Sequence, residues 1–333
     1  MSISVIMPAY RAELLLPRVL PPLIELLKAG EVCEVLVVDD QSPDRTADVA
    51  RELGATVIET PVNGGPGAAR NLASEHAKGD ILWFVDSDVV AWKSGPQKIR
   101  EAFAQDGVKA CFGSYDSTPD GTSWYSRYKN LMHRYYHQVS HRDAGTFWAG
   151  CGAVDAALFR ELGGFDTDTY RVPSIEDIEL GYRIRKAGGR ILSVPDLLGK
   201  HLKIWTIRNG IHTDIYRRAL PWSRLMIARE GLSNDLNTST MERLRAGVAG
   251  LFILSLVAVL FRFSFWPITL LLAFLAVALN RDFARFLYKN GGLGFAAASL
   301  LYHQFYYTYS ASVFVWCLFE YHALRRRNRL HVP

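Results

Sequence analysis

The feature that most narrows the fold is a series of four short apolar runs separated by segments with helical spacing. Residues 3–7 (Ile-Ser-Val-Ile-Met), 35–38 (Val-Leu-Val-Val), 56–58 (Thr-Val-Ile) and 81–85 (Ile-Leu-Trp-Phe-Val) are rich in β-branched and aromatic side chains and read as strands. Between them, residues 14–28 carry leucines at helical spacing. Ser42-Pro43-Asp44 reads as a cap and first turn opening a helix to about residue 53, and Gly65-Pro66-Gly67 opens another to about residue 78. Alternating strands and helices, with the strands apolar on both faces, predict an α/β fold in which a mostly parallel sheet lies between helices. Ligands bind such sheets beyond the carboxyl ends of the strands. Ala9-Tyr10, Asp39-Asp40 and Asp86-Ser87-Asp88 all fall at those ends.

Further along, residues 122–142, 155–162 and 174–186 have helical spacing, and 148–152 form a turn of small residues. Overall composition, 49% hydrophobic and 21% charged, hides a break near residue 245, after which Leu, Phe, Ala, Val and Tyr dominate. Residues 246–261 and 264–280 read as two short apolar spans joined around Arg262, because one helix of that length would overshoot a hydrocarbon core of about 30 Å. A third stretch, 294–319, is interrupted by His303, Gln304 and tyrosines; it either crosses or lies in the interface. Two crossings would keep the basic tail Arg325-Arg-Arg-Asn-Arg329 on the inside. Residues 204–230 set Trp205, Ile211, Ile215, Leu220, Trp222 and Leu225 among arginines. They read as a helix on the membrane surface or as an ordinary helix packed on the domain. The expected division is a catalytic α/β domain at 1–203, amphipathic juxtamembrane helices at 204–245, membrane helices at 246–320 and a basic cytoplasmic tail at 321–333.

The net charge of +5, concentrated in 183–245 and the tail, points to anionic lipid headgroups and not to nucleic acid. Four scattered cysteines without a CxxC pair argue against a zinc site or disulfide framework, and the first residues read as a strand, not a signal peptide. The expected location is the inner (cytoplasmic) membrane, multi-pass, with the catalytic domain in the cytoplasm.

Each chemical motif has a bland counterpart. Asp86 and Asp88 at a strand end can hold a hard divalent cation and, through it, a diphosphate leaving group, or form a solvated turn. Asp39-Asp40 can accept from a base or ribose, or cap the next helix. Gly64-Gly65-Pro66-Gly67 followed by Arg70 suits phosphate at a helix start, or is a plain cap. Glu176-Asp177 can supply a general base, or merely stabilise a first helical turn. His201 and Lys203 can approach phosphates, although a lone histidine is commonly structural.

Order and spacing strengthen what each motif leaves open. Val5-Ile-Met-Pro-Ala-Tyr10, Val37-Val-Asp-Asp-Gln-Ser42, Gly67-Ala-Ala-Arg-Asn71 and Phe84-Val-Asp-Ser-Asp88 are followed by Phe147-Trp-Ala-Gly-Cys-Gly152, Gly163-Gly-Phe-Asp166 and Ile175-Glu-Asp-Ile-Glu-Leu180. Over about residues 2–205 this resembles the inverting family 2 glycosyltransferases, which have the GT-A nucleotide-diphospho-sugar transferase fold. The resemblance implies that Pro8, Ala9, Tyr10, Glu13, Asp39, Asp40, Arg70, Asp86 and Ser87 bind a nucleotide-sugar. It implies that Asp88, Asp86 and His201 hold Mg²⁺ or Mn²⁺, and that Trp148, Gly150, Cys151 and Gly152 shape the acceptor side. Asp177 would be the base, with Glu176 beside it. The QxxRW motif of processive members is absent at 201–205, implying transfer of one sugar, and Gln41 stands where Gly is frequent.

The expected activity is therefore transfer of one sugar, from a UDP-sugar in preference to a GDP- or dTDP-sugar, to a membrane lipid or polyprenyl-phosphate-type acceptor. Two alternatives are a nucleotidyltransferase on a related fold, for which residues 8–18 lack the usual glycine-rich basic loop, and a non-catalytic membrane scaffold.

Overall fold

The computed structural model describes residues 1–230 and 238–323. The arginine-rich tail and residues 231–237 of the expected juxtamembrane segment lie outside the described residues. The chain divides into two compact units. Among the described residues the first comprises Met1–Gly121 and Tyr136–Ile204, the second Thr122–Tyr135 and those that follow from Trp205.

In the first unit the order is β1 (Ile3–Ala9), α1 (Leu16–Lys28), β2 (Glu34–Asp39), α2 (Thr46–Glu52), β3 (Thr56–Glu59), α3 (Gly65–His76), β4 (Ile81–Val85), β5 (Val89–Ala91), α4 (Gly95–Phe103) and β6 (Val108–Tyr115). Helix α5 (Trp124–Val139) starts in the second unit and ends in the first, where β7 (Asp143–Ala144), β8 (Cys151–Asp155), α6 (Ala156–Glu161), α7 (Glu176–Lys186) and β9 (Arg190–His201) follow. The strands form one sheet in the order β3-β2-β1-β4-β8-β6-β9-β5, with β7 on β9. Strands β1, β2, β3, β4, β6 and β9 point one way; β5, β7 and β8 oppose them. The fold is thus α/β with a mostly parallel, mixed sheet.

The apolar runs of β1, β2 and β4 follow from burial on both faces. In β1, Ile3, Val5 and Met7 pack with Leu16, Leu20 and Leu23 of α1, while Ile6 joins Ala69, Phe84, Phe159 and Phe165 on the opposite face. Each such side chain contributes about 1.5–3 kcal/mol on full burial. Strands β6 and β9 escape the sequence reading because glycine and proline interrupt them. Their closeness requires a glycine: a Cβ on Gly113 would lie 1.9 Å from the Leu197 carbonyl oxygen.

One cap differs from expectation. Helix α2 starts at Thr46, not at Ser42-Pro43-Asp44. The Asp44 carboxylate instead accepts from the Thr46 amide and hydroxyl, and Ser42 Oγ accepts from the Arg11 amide at 3.0 Å, tying the loops after β1 and β2 together.

The second unit is helical. After α8 (Ile207–His212) comes a π-helical turn (Thr213–Ala219), α9 (Leu220–Leu225) and a second π-helical turn (Met226–Glu230). Then follow α10 (Thr240–Phe261), α11 (Trp266–Leu279) and α12 (Arg281–His322), the last kinked at Gly292 (φ 78°). The chain breaks after Phe261, beside Arg262, as expected, whereas 294–319 is part of a longer helix. Among the described residues α10 alone is long and apolar enough to cross a membrane; α11 and α12 meet that test only jointly, across a 73° bend.

Candidate active site

The carboxyl ends of β1, β2, β4, β6 and β9 and the start of the opposed β8 share one rim, since Val85 pairs with Cys151, Tyr115 with Gly199 and Val89 with His201. Two non-glycine residues there have left-handed backbones: Arg11 (φ 53°) after β1 and Gln41 (φ 58°) after β2. Gln41 therefore adopts the conformation for which glycine is favoured, and its side-chain amide donates to the Thr60 carbonyl.

The paired aspartates after β2 have different surroundings. Asp40 is buried and accepts from the Gly64 amide at 2.9 Å, the Gly65 amide at 2.8 Å and the Thr60 hydroxyl at 2.9 Å. Both of its oxygens hold the turn that opens α3. Asp39 is also buried; one oxygen accepts from the Ser42 amide at 3.2 Å, and Oδ1 has no hydrogen-bond partner among the described residues. A buried carboxylate oxygen left unpaired is costly and suits an incoming N–H or O–H donor. Pro8 and Ala9 are buried at the end of β1, Tyr10 is exposed beneath the Arg11 guanidinium, and Glu13 accepts from the Arg45 amide.

Arg70, on α3, joins motifs that the sequence keeps apart. Its guanidinium is buried over Phe84 and Phe165, donates to Asp86 Oδ1 at 2.5 Å and stands 4.0 Å from Glu176 Oε1. Glu176 also accepts from the Ser174 amide at 2.7 Å. Burial, and then the neighbouring Asp177 charge, push the Glu176 carboxyl up to about 7 against the opposing pull of Arg70. The half-buried Asp177 accepts from the Ala149 amide at 3.1 Å and from the Ile178 amide at 2.8 Å. Helix α7 begins at Glu176 after Ile175, with no side-chain cap.

On the far side of the rim, Asp88 Oδ2 lies 3.6 Å from His201 Nε2, and the His201 ring stacks on Tyr115 at 4.3 Å. Burial works against ionisation of Asp88, but the charges of His201 and Lys203 outweigh it and hold its carboxyl below the usual range. No group of three or more His, Cys, Asp or Glu side chains forms a ready-made metal centre among the described residues. Asp88 and His201 nevertheless fit a hard cation whose remaining positions go to ligand oxygens: an ion about 2.1 Å from each donor can touch both across 3.6 Å. Asp86 keeps Oδ2 for the same purpose. Gly150 makes room for it, since a Cβ there would lie 3.1 Å from Asp86 Oδ2 and 3.0 Å from the Tyr115 hydroxyl.

Ser87 stands half-buried between the two aspartates, and Trp148 packs edge-on against His137 at 4.6 Å. The buried Cys151 thiol is pushed up to about 12 by burial, so it is no nucleophile; all four cysteines are free. Tyr115 was not singled out by sequence reading, because β6 went unrecognised; reading 108–115 as a strand would have put its last residue on this rim.

Residues 4–163 match the family model described as "Glycosyl transferase family 2". This stretch is a glycosyl transferase family 2 domain. Among curated relatives, validoxylamine A glucosyltransferase of Streptomyces hygroscopicus subsp. limoneus is 28% identical over 226 residues, 56% of this chain and 48% of the relative. The 4,4'-diaponeurosporenoate glycosyltransferase of Staphylococcus haemolyticus (strain JCSC1435) is 42% identical over 94 residues, 26% of this chain and 24% of the relative. The chain spans about half or less of the length of the curated relatives it matches. A solved structure, the mannosyltransferase PcManGT of Pyrobaculum calidifontis in complex with GDP-Man and Mn²⁺, shares the fold: TM-score 0.55, 21% identity, 96% of this chain and 86% of that one covered. The family 2 domain is thus a GT-A-like α/β fold followed by helices.

Proposed function

We propose that this chain is a glycosyltransferase that moves a single sugar from a nucleotide-sugar, a UDP-sugar in the first instance, to a lipid or lipid-linked acceptor at the cytoplasmic face of the inner membrane. The observation that carries the proposal is the bridge from Asp86 through Arg70 to Glu176, which joins the DxD turn to the Glu-Asp pair on the rim that also carries Asp39 at the end of β2.

Asp39 Oδ1 accepts from the nucleobase, with Pro8, Ala9 and Tyr10 forming the pocket wall and Glu13 bracing the next loop. Asp40 holds the Gly64–Gly65 turn in place. Asp86, Ser87 and Asp88 face the diphosphate, with Arg70 fixing the carboxylate of Asp86. Mg²⁺ or Mn²⁺, when held by Asp88 and His201 with Asp86, supplies charge neutralisation for the departing diphosphate. Trp148, Gly150, Cys151 and Gly152 line the acceptor side, where Asp177 takes the proton of an attacking hydroxyl; an acceptor that is already a phosphate anion makes that proton transfer unnecessary. Positioning for in-line attack supplies most of the remaining acceleration.

The lipid acceptor and the membrane location draw support from the exposed apolar helices α10 and α11 and from the relative named for a carotenoid acid. The test is a screen of radiolabelled nucleotide sugars against a total lipid extract with purified protein and Mn²⁺. Label entering the lipid fraction upholds the reading. Release of pyrophosphate from a sugar phosphate and a nucleoside triphosphate would replace it with nucleotidyl transfer, and absence of both reactions and of metal-dependent nucleotide binding would leave a scaffold.

A further inference from the structure

We propose that the second unit enters the bilayer only through a hairpin made by α10 and α11, and that α12 runs along the membrane surface without crossing. The inference rests on the membrane attachment proposed above and adds its geometry.

The hairpin is defined by its base. Arg245 Nε donates to the Leu279 carbonyl at 3.0 Å, so the chain leaves and returns at one level. Beyond that level the α10 arm extends about 24 Å to Phe261 and α11 about 21 Å, at 1.5 Å per residue. Leu254, Leu260, Phe261, Phe263, Leu270 and Phe274 are exposed along the arms and tip, and only 17% of the apolar window of α10 is buried inside the protein. Water is a poor solvent for such a surface, and a hydrocarbon layer of about 30 Å accommodates it, with Arg262 at the tip able to extend toward the far headgroups.

A polar cluster marks the membrane boundary at that base. Glu242 pairs with Arg245, and its Oε2 accepts from the Tyr307 hydroxyl at 2.6 Å. That hydroxyl also lies 3.2 Å from Asn280 Oδ1, while Asn280 Nδ2 donates to the Ala276 carbonyl at 2.8 Å. These groups lock α10, α11 and α12 together and sit most cheaply at headgroup level.

Two observations keep α12 out of the hydrocarbon. The chain bends by 73° where α11 gives way to α12, so a hairpin standing along the membrane normal turns the chain toward the membrane plane as α12 begins, ahead of its kink at Gly292. In addition, α12 is fastened along a segment rich in charge. Tyr309 donates to Asp214 at 2.7 Å, Cys317 reaches the Leu220 carbonyl at 3.9 Å, and Arg224 grips Glu320 with two bonds of 3.0 and 3.1 Å. A crossing α12 would carry Asp214, Arg217, Arg218 and Arg224 into the bilayer with it, which is strongly disfavoured. The other side of α12 exposes Leu301, Phe305, Val315, Trp316 and Phe319, a stripe suited to the interface.

The test places a fluorophore on Phe274→Cys, Leu301→Cys or Val315→Cys in a Cys33→Ser background of the full chain, bound to phosphatidylethanolamine–phosphatidylglycerol vesicles. Quenching by lipids spin-labelled deep in the acyl chain is compared with quenching by headgroup-labelled lipids. The expected ratio of deep to shallow quenching is above one at residue 274 and below one at both 301 and 315. A ratio above one at 301 or 315, or below one at 274, overturns the proposal while leaving attachment intact. Failure of the unlabelled protein to sediment with vesicles overturns attachment itself.

Discussion

Arg70 donates to Asp86 at 2.5 Å although the two lie on different elements, one inside α3 and the other just past β4. The same guanidinium faces Glu176, so a single buried cation sits between the turn assigned to the donor and the pair assigned to the acceptor. Its buried Nε has no hydrogen-bond partner among the described residues. The arrangement makes the Arg70 position decisive for both halves of the site.

Replacing Arg70 by Gln should leave Asp86 and Glu176 without their countercharge. Breaking a buried pair costs about 3–5 kcal/mol; because the Asp86 side chain is 35% exposed, a smaller loss of about 2–3 kcal/mol is expected. Denaturant midpoints measure it. Arg70→Lys should recover part of the stability but not the activity, since an ammonium cannot serve both carboxylates in one plane. Equal activity of Arg70→Lys and the parent would refute the bridging role.

Asp88→Ala should abolish sugar transfer and the dependence of nucleotide binding on Mn²⁺, while circular dichroism shows an unchanged fold. The carboxylate faces His201 across 3.6 Å and belongs to neither apolar core cluster, so little packing is lost. Calorimetry with UDP, with and without Mn²⁺, reads the outcome. Full activity in this variant, or in excess chelator, would remove Asp88 from the site.

How much of this was legible in the sequence depends on what each residue reports locally. Strands β1, β2 and β4 announced themselves because their runs, buried on both faces, leave no polar alternation to confuse the reading. Strands β6 and β9 did not. Gly113 in one and Pro195 in the other break the pattern, and Gly113 does so where the two strands crowd together, against Leu197. Asp39 and Asp40 look alike in sequence; only the fold of the Gly64–Gly65 turn separates an open carboxylate from an occupied one. Tyr115 against His201 is a contact between distant strands and leaves no local trace.

Gln41 offers a test of backbone strain. A non-glycine residue in the left-handed region costs about 1 kcal/mol, and the bond to Thr60 offsets it. Gln41→Ala should lose the bond and keep the strain, whereas Gln41→Gly should lose both. The alanine variant is therefore expected to be less stable than the glycine variant by about 1 kcal/mol. Urea midpoints that rank the two in the opposite order would contradict the assigned backbone geometry.

Glu176 predicts a pH dependence whose sign follows from its raised carboxyl. In the folded chain it holds its proton up to about 7, against 4.5 for an unperturbed glutamate. Between those values the folded state binds more protons than the unfolded state, so stability from this group is fully present below pH 4.5 and is lost as pH rises through about 7. The loss has an upper bound of about 3 kcal/mol, at about 1.36 kcal/mol per pH unit. Glu176→Gln keeps the shape and the acceptor for the Ser174 amide but cannot ionise. The variant should match the parent near pH 5 and exceed it in denaturant midpoint at about pH 8. Parallel stability curves for the two proteins across that range would mean that Glu176 is ionised throughout, with Arg70 and not burial controlling its charge.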